Sequence, residues 1–334
     1  MNRIILLSFV FLLFISCQSN KKNSTEPDGY IYSVQGKMDI SKLGISLTHE
    51  HIMSRFGLES SYVPVYLKDS PFMQVIPYLK EVKALGIVSI FDCTTAYFGR
   101  DVRLLKEISD STGMEIITNT GYYAAANDRY VPESAYESTI EEISRIWIEE
   151  FENGIDGTDI KPGFIKLGFD NGASDIDSKL FSAGILTHLS TGMTMAVHTG
   201  DNPTAVENQL ELLEQFKVSP SAIVWVHASN TTDDNLLIET AEKGVWISLD
   251  KFKSPATEDY VSRIQLFKEK NLLHKVLLSH DGNSFNGKDQ LRGYKAVITH
   301  LVPALKENGF SDDEINQLLV LNPKNAFRVE VRNL

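Results

Sequence analysis

Between residues 44 and 279 the chain alternates short, nearly continuous apolar runs with longer stretches whose apolar positions recur every three to four residues. The short runs fall at 44–48, 88–93, 115–120, Phe164–Gly168, 194–198, 223–227, 245–249 and 276–279. Each has strand length, and unbroken apolar character is what strands covered on both faces require. Helical spacing appears between them: Leu79, Val82 and Leu85; Leu104, Leu105, Ile108 and Thr112; Ile140, Ile143, Trp147 and Phe151. The stretches 205–216, 231–243, 260–271 and 291–308 read the same way. Glycines 86, 113, 154, 192, 244 and 309 stand where helices would stop. Eight alternations of strand and helix predict an α/β fold, a closed (β/α)8 TIM barrel, as a single domain over 37–334. In such a barrel the active site lies at the C-terminal ends of the strands.

The first residues follow another pattern. Met1-Asn2-Arg3 is short and basic, 4–15 is almost entirely apolar, and Ser16-Cys17 leads into polar sequence. The apolar run is short for a membrane span and suits a signal peptide. Phe14-Ile15-Ser16-Cys17 is similar to a bacterial lipoprotein processing box, with Phe14 where leucine is usual. The expected organisation is a signal peptide over 1–16, then a flexible tether over 17–36 carrying a lipid on Cys17. The protein would be exported and membrane-anchored, on the periplasmic or surface side. A plain secretory signal cut nearby is the alternative. With Cys17 lipidated, Cys93 has no partner left and reads as a small buried hydrophobe.

Composition narrows the field only slightly. At 43% hydrophobic and 23% charged over 334 residues, the chain can bury a large core. A formal net charge of −12 weighs against nucleic acid as a partner. A small-molecule substrate is expected, with membrane contact only through the N-terminal lipid; a homodimer is compatible with the sequence.

The chemistry concentrates at the strand ends. His49 and His51, separated by one residue on the first strand, project from one face while Glu50 points away. His198 and His227 close the fifth and sixth strands, and Asp281 follows the eighth. Four imidazoles and a carboxylate suit zinc or a similar first-row ion, with manganese, cobalt or iron as alternatives. His188, His274 and His300 fall in other patterns, and alternation turns His280 away from the pocket. Lys166 points into the barrel from the fourth strand, where a charged amine is costly. Spacing alone favours a lysine that snorkels to the rim. Carboxylation to N6-carboxylysine, whose oxygens can bridge two cations, is the other solution.

Taken together, Leu47-Thr-His-Glu-His51, Ile165-Lys-Leu-Gly168, His198, Val226-His-Ala228 and Ser279-His-Asp281 resemble the phosphotriesterase family of the amidohydrolase superfamily. So do Ile90-Phe-Asp-Cys-Thr-Thr95, Ile117-Thr-Asn-Thr-Gly-Tyr122 and Leu321-Asn-Pro-Lys-Asn-Ala-Phe327. The resemblance runs from about residue 37 to 327. It implies two divalent ions: His49, His51 and Asp281 would hold the more buried one and His198 and His227 the more exposed one. Carboxylated Lys166 and a hydroxide would bridge them. Asp281 would be the catalytic group that accepts the proton of the attacking hydroxide.

Substrate choice resides in the loops after the strands. Those after strands seven and eight are short, which is similar to the branch that includes sugar-lactone hydrolases. The expected substrate is a compact lactone or ester. A phosphotriester hydrolase and a single-metal deaminase are the alternatives, together with a non-catalytic lipoprotein that binds metal or carbohydrate. Tyr97, Tyr123, Lys251 and Lys253 are expected to contact substrate. Arg100, Arg129, Lys288 and Tyr122 are expected near the same rim.

Overall fold

All eight apolar runs form strands, and the strands close into a ring. The computed structural model describes residues 29–56, 60, 69–285 and 291–334. The barrel strands are β1 (Ile45–His51), β2 (Ile87–Asp92), β3 (Glu115–Ile117, continuing as Asn119–Thr120), β4 (Phe164–Gly168), β5 (Met195–His198), β6 (Ile223–Val226), β7 (Trp246–Leu249) and β8 (Val276–Leu278). Each pairs in parallel with the next. Beyond β8, Gly282–Asn283 pairs back onto Glu50 and His51, which completes the circle.

One principal helix follows each strand. These are α1 (Asp69–Ala84), α2 (Val102–Thr112), α3 (Ile140–Asn153), α4 (Asp175–Thr191), α5 (Pro203–Gln215), α6 (Asp234–Glu242), α7 (Thr257–Glu269) and α8 (Val302–Glu307). Several starts are capped as their sequences suggest. Asp101 accepts from the Leu104 N–H, and Thr139 and Ser174 form reciprocal capping boxes with Glu142 and Asp177.

Alternation along the strands separates two cores. Ile165, Leu167, Met195, Val197, Ile223 and Trp225 pack outward against the helices. Phe91, Phe164, Ala196, Val224 and Leu277 face inward with Ile31 and Phe327, which seal the lower end. Each of the larger side chains among them contributes about 1.5–3 kcal/mol by leaving water. The inward layer fills the lower barrel with apolar groups, so polar chemistry is confined to the upper rim.

A hairpin of Tyr30–Ser33 and Gly36–Asp39 lies under the barrel. Ile31 is fully buried there, Val34 N–H donates to Ile116 O at 2.8 Å, and Val329 N–H donates to Tyr30 O at 2.9 Å. The tether expected over 17–36 therefore ends sooner than 36, because alternating burial of Ile31 and Ser33 fixes this stretch to the barrel floor. The expected signal peptide over 1–16, the lipid site Cys17 and residues 18–28 lie outside the described residues.

One further expectation needs correction. Residues 291–308 were expected to be one helix, but helix begins only with the widened turn Val297–Leu301 before α8. Residues 291–293 instead line the central cavity. Helix α4 carries no clean apolar stripe because it is buried on several sides, including Ile176, Asp177, Leu180, Phe181, Ser182, Gly184, Thr187 and His188.

Candidate metal centre

The upper mouth of the barrel opens into a cavity of about 860 Å³, and His49, His51, Lys166, His198, His227 and Asp281 all line it. The four histidines come from strand ends or the residue just beyond. His49 and His51 end β1, and Lys166 faces inward from β4 opposite Ala196 of β5. His198 ends β5 and His227 follows β6. His227 has φ 60° and Asp281 φ 51°, both in the left-handed region. Non-glycine residues adopt that region at an energetic cost, and such strain concentrates where function dictates a side chain's direction. Gly121 shows the same closeness: its φ is +114°, and a Cβ there would meet Lys166 O at 2.2 Å.

The imidazoles are oriented from behind. His49 Nδ1 lies 2.9 Å from Asp250 Oδ2, and His227 Nδ1 lies 2.6 Å from Asp250 Oδ1. His51 Nδ1 lies 2.8 Å from Thr94 Oγ1, which itself donates to Met53 O at 2.7 Å and so accepts from the ring. His198 Nδ1 lies 3.0 Å from the Tyr123 hydroxyl. Every Nδ1 thus has a protein partner, and for His49, His51 and His227 that partner accepts, which leaves Nε2 as their ligand atom. Nε2 of His49 and of His51 lie 3.7 and 3.4 Å from Asp281 Oδ1. His49, His51 and Asp281 form a group of the dimensions needed to hold one ion. His49, His227 and Asp250 are equally close, but their contacts run through Nδ1 and are better described as hydrogen bonds.

Protonation states suit cation binding. Burial pulls His49 down to about 4 and His198 well below the ordinary imidazole range, so both are neutral near pH 7. Burial opposes ionisation of Asp281, but the hydrogen bond from His51 and the neighbouring His227 and His49 outweigh it and hold the carboxyl well below its usual range. Asp250 behaves similarly, burial being overridden by His227 and His49.

Lys166 does not snorkel. It is 1% exposed, its Nζ donates to Leu167 O at 3.1 Å, and Nζ sits 5.2 Å from the Tyr123 ring centre. Burial lowers its pKa, which raises the fraction of neutral amine able to react with CO2. Four imidazoles, an ionised carboxylate and a buried lysine make a donor set that fits divalent cations.

Glu50 does turn away, as alternation requires. It accepts from Ser279 Oγ, from the His280 backbone and from Gly282 N–H, and it meets His280 Nδ1 at 2.8 Å. His280 Nε2 accepts from Val297 N–H at 2.9 Å, so both of its ring nitrogens are engaged. Glu50 and His280 thereby lock β1, the Asp281 turn and the helix beyond it together.

Around this floor the expected substrate contacts divide. Tyr123, Lys251 and Lys253 line the cavity. Tyr97 does not; it packs edge-on against Tyr122, which in turn meets Trp147. Arg100 is no rim cation either. It is 3% exposed, pairs with Glu150 at 2.6 Å and donates to Asn119 O, which is what a buried guanidinium requires. Arg129 is exposed away from the cavity lining, and Lys288 lies outside the described residues.

Three groups were not anticipated. Arg292 lines the mouth with Nη1 3.4 Å from Asp281 Oδ2, brought there by reciprocal backbone bonds with Asn283 at 2.7 and 2.9 Å. Phe98 stacks on Tyr123 with ring centres 5.3 Å apart and meets His51 edge-on at 5.4 Å. Asp250, fully buried, is the third. Its one sequence signal was its place directly after β7, equivalent to His227 after β6.

The chain is similar to known proteins over most of its length. The model of the phosphotriesterase family matches residues 29–327. The chain is 25% identical over 301 residues to a phosphotriesterase homology protein of Escherichia coli (strain K12), covering 87% of this chain and all of that protein. It is also 25% identical to N-acetyltaurine hydrolases of Xenopus tropicalis and Mus musculus, over 341 and 344 residues, covering 89% of this chain and 97% of each relative.

Proposed function

The chain belongs to the phosphotriesterase family, and from that premise we propose that it is a binuclear metal-dependent hydrolase of a compact, anionic acyl substrate, a lactone or ester. The observation that carries the reading is the meeting of four imidazoles, each held at Nδ1, with Asp281 and Lys166 on one cavity floor. His49, His51 and Asp281 would hold the inner ion, His198 and His227 the outer one, and carboxylated Lys166 would join them. Zinc fits the donors, and manganese, cobalt or iron are compatible. Bound ions of this kind supply Lewis acidity and make water acidic enough to attack near neutral pH. Asp281 would accept the proton of the attacking water through Oδ2, the oxygen on the Arg292 side, with Oδ1 left between His49 and His51 for the inner ion. Phe98 and Phe252 shield the floor, and a cavity of this size accepts a small molecule.

Lys251, Lys253 and Arg292 give the mouth three cations. The loop after β7 passes through residues 250–256 straight into α7 and lines the entrance with Lys251 and Lys253. A polar, negatively charged substrate matches that entrance better than a greasy phosphotriester. Lys251→Gln with Lys253→Gln should raise KM for an anionic ester about tenfold with little change in kcat, since a binding contact equal in ground and transition state affects KM alone. An equal rise for a neutral ester would show that the lysines do not read charge.

An amide substrate is the second reading. It is favoured by the relatives named N-acetyltaurine hydrolases, because the same three cations would accept a sulfonate. A kinetic panel of lactones, aryl esters, N-acyl amino sulfonates and phosphotriesters on zinc-loaded protein decides between them. A far larger kcat/KM for phosphotriesters than for every carbonyl substrate would overturn both.

We also propose anchoring through Cys17, on the apolar run that ends there. Cys17→Ala should move the protein out of the membrane fraction or block its processing. An unchanged membrane fraction and mature mass would exclude it.

A further inference from the structure

We infer that Asp250 is a positioning residue shared by the two ion sites, and that its two oxygens serve different ions. The inference rests on the binuclear reading above. Asp250 is fully buried, so its partners come from the protein. Oδ2 accepts from the His227 backbone N–H at 3.1 Å and from Ser248 Oγ at 2.9 Å, and it meets His49 Nδ1 at 2.9 Å. Oδ1 meets His227 Nδ1 at 2.6 Å. An ionised carboxylate can only accept, so both rings must carry their proton on Nδ1 and offer a bare Nε2. One side chain thus sets the tautomer of an inner-site ligand and of an outer-site ligand at once.

The asymmetry of its partners gives a sharp consequence. In Asp250→Asn the amide keeps the carboxylate's shape but has one accepting and one donating end. The end at Oδ2 faces a backbone N–H and a serine hydroxyl besides His49, so the amide oxygen belongs there. The NH2 then falls at the Oδ1 position, facing His227 Nδ1. That nitrogen must become the acceptor, which sends its proton to Nε2 and removes His227 as a ligand. His49 is left as it was. A single-atom exchange would therefore weaken the outer site and spare the inner one, lowering outer-site affinity up to about a hundredfold.

The test is metal content of the full-length chain purified with zinc, together with nitrogen-15 correlations of the histidine rings. Wild type should hold two ions per chain, and Asp250→Asn one. His227 should change to the Nε2–H tautomer and His49 should not. His227→Ala provides the reference for an empty outer site. Two ions in Asp250→Asn, none, or an unchanged His227 tautomer would overturn the inference. Fewer than two ions in wild type would instead sink the binuclear reading. If the amide variant is insoluble, Ser248→Ala serves: both carboxylate oxygens still face Nδ1, so two ions should remain. Loss of the outer ion there would overturn the division between the two oxygens.

Discussion

Lys166→Ala should abolish turnover and reduce the metal content of the protein together. The amine is nearly inaccessible and has a depressed pKa, an arrangement hard to justify by packing alone. An uncompensated buried cation costs several kcal/mol. As a carbamate, by contrast, the same side chain would supply two oxygens between the proposed ion sites. Loss of that bridge should cost about 4 kcal/mol of transition-state stabilisation, roughly a thousandfold in kcat. A short carboxylic acid added to the variant should restore part of the activity by supplying the missing oxygens. Full activity and two bound ions in Lys166→Ala would exclude a bridging role. Acid destroys carbamates, so crystallographic density is a better check of the modification than intact mass.

Asp281→Asn is expected to separate chemistry from binding. Its outer oxygen faces Arg292 and its inner oxygen faces His49 and His51. The amide retains a carbonyl oxygen that can still face the inner ion, but it cannot accept a proton near neutral pH. Loss of a general base costs about 10² to 10⁴ in rate. kcat should fall by that order while ion content falls much less than in His49→Ala or His198→Ala. Equal losses of metal in all three variants would make Asp281 a ligand alone.

These residues were legible because a parallel barrel writes itself plainly. Strands covered on both faces become apolar runs, so a histidine or lysine at the end of one stands out. The order of His49, His51, Lys166, His198, His227 and Asp281 then follows the order of the strands. What was missed lacked that contrast. Asp250 reads as an ordinary loop charge until two imidazoles are seen to share it. Arg292 reaches the mouth through backbone pairing with Asn283, which leaves no periodic trace in sequence. Arg100 looked like a solvated cation because its partner Glu150 lies in α3, far along the chain. Helix α4 was unread for the opposite reason: buried on several sides, it has no polar face to give it a period.

With the anchoring proposed above, the hairpin beneath the barrel would also set which end of the protein is tethered. The described chain enters at Gly29, where its carbonyl accepts from Ile40 N–H, on the side closed by Ile31 and Phe327. The cavity opens at the other end of the strands. The stretch from Cys17 to Gly29 spans at most about 40 Å even if fully extended. A lipid on Cys17 would therefore tether the barrel from its closed end, leaving the mouth at the far end of the strands free to meet substrates dissolved in the surrounding water.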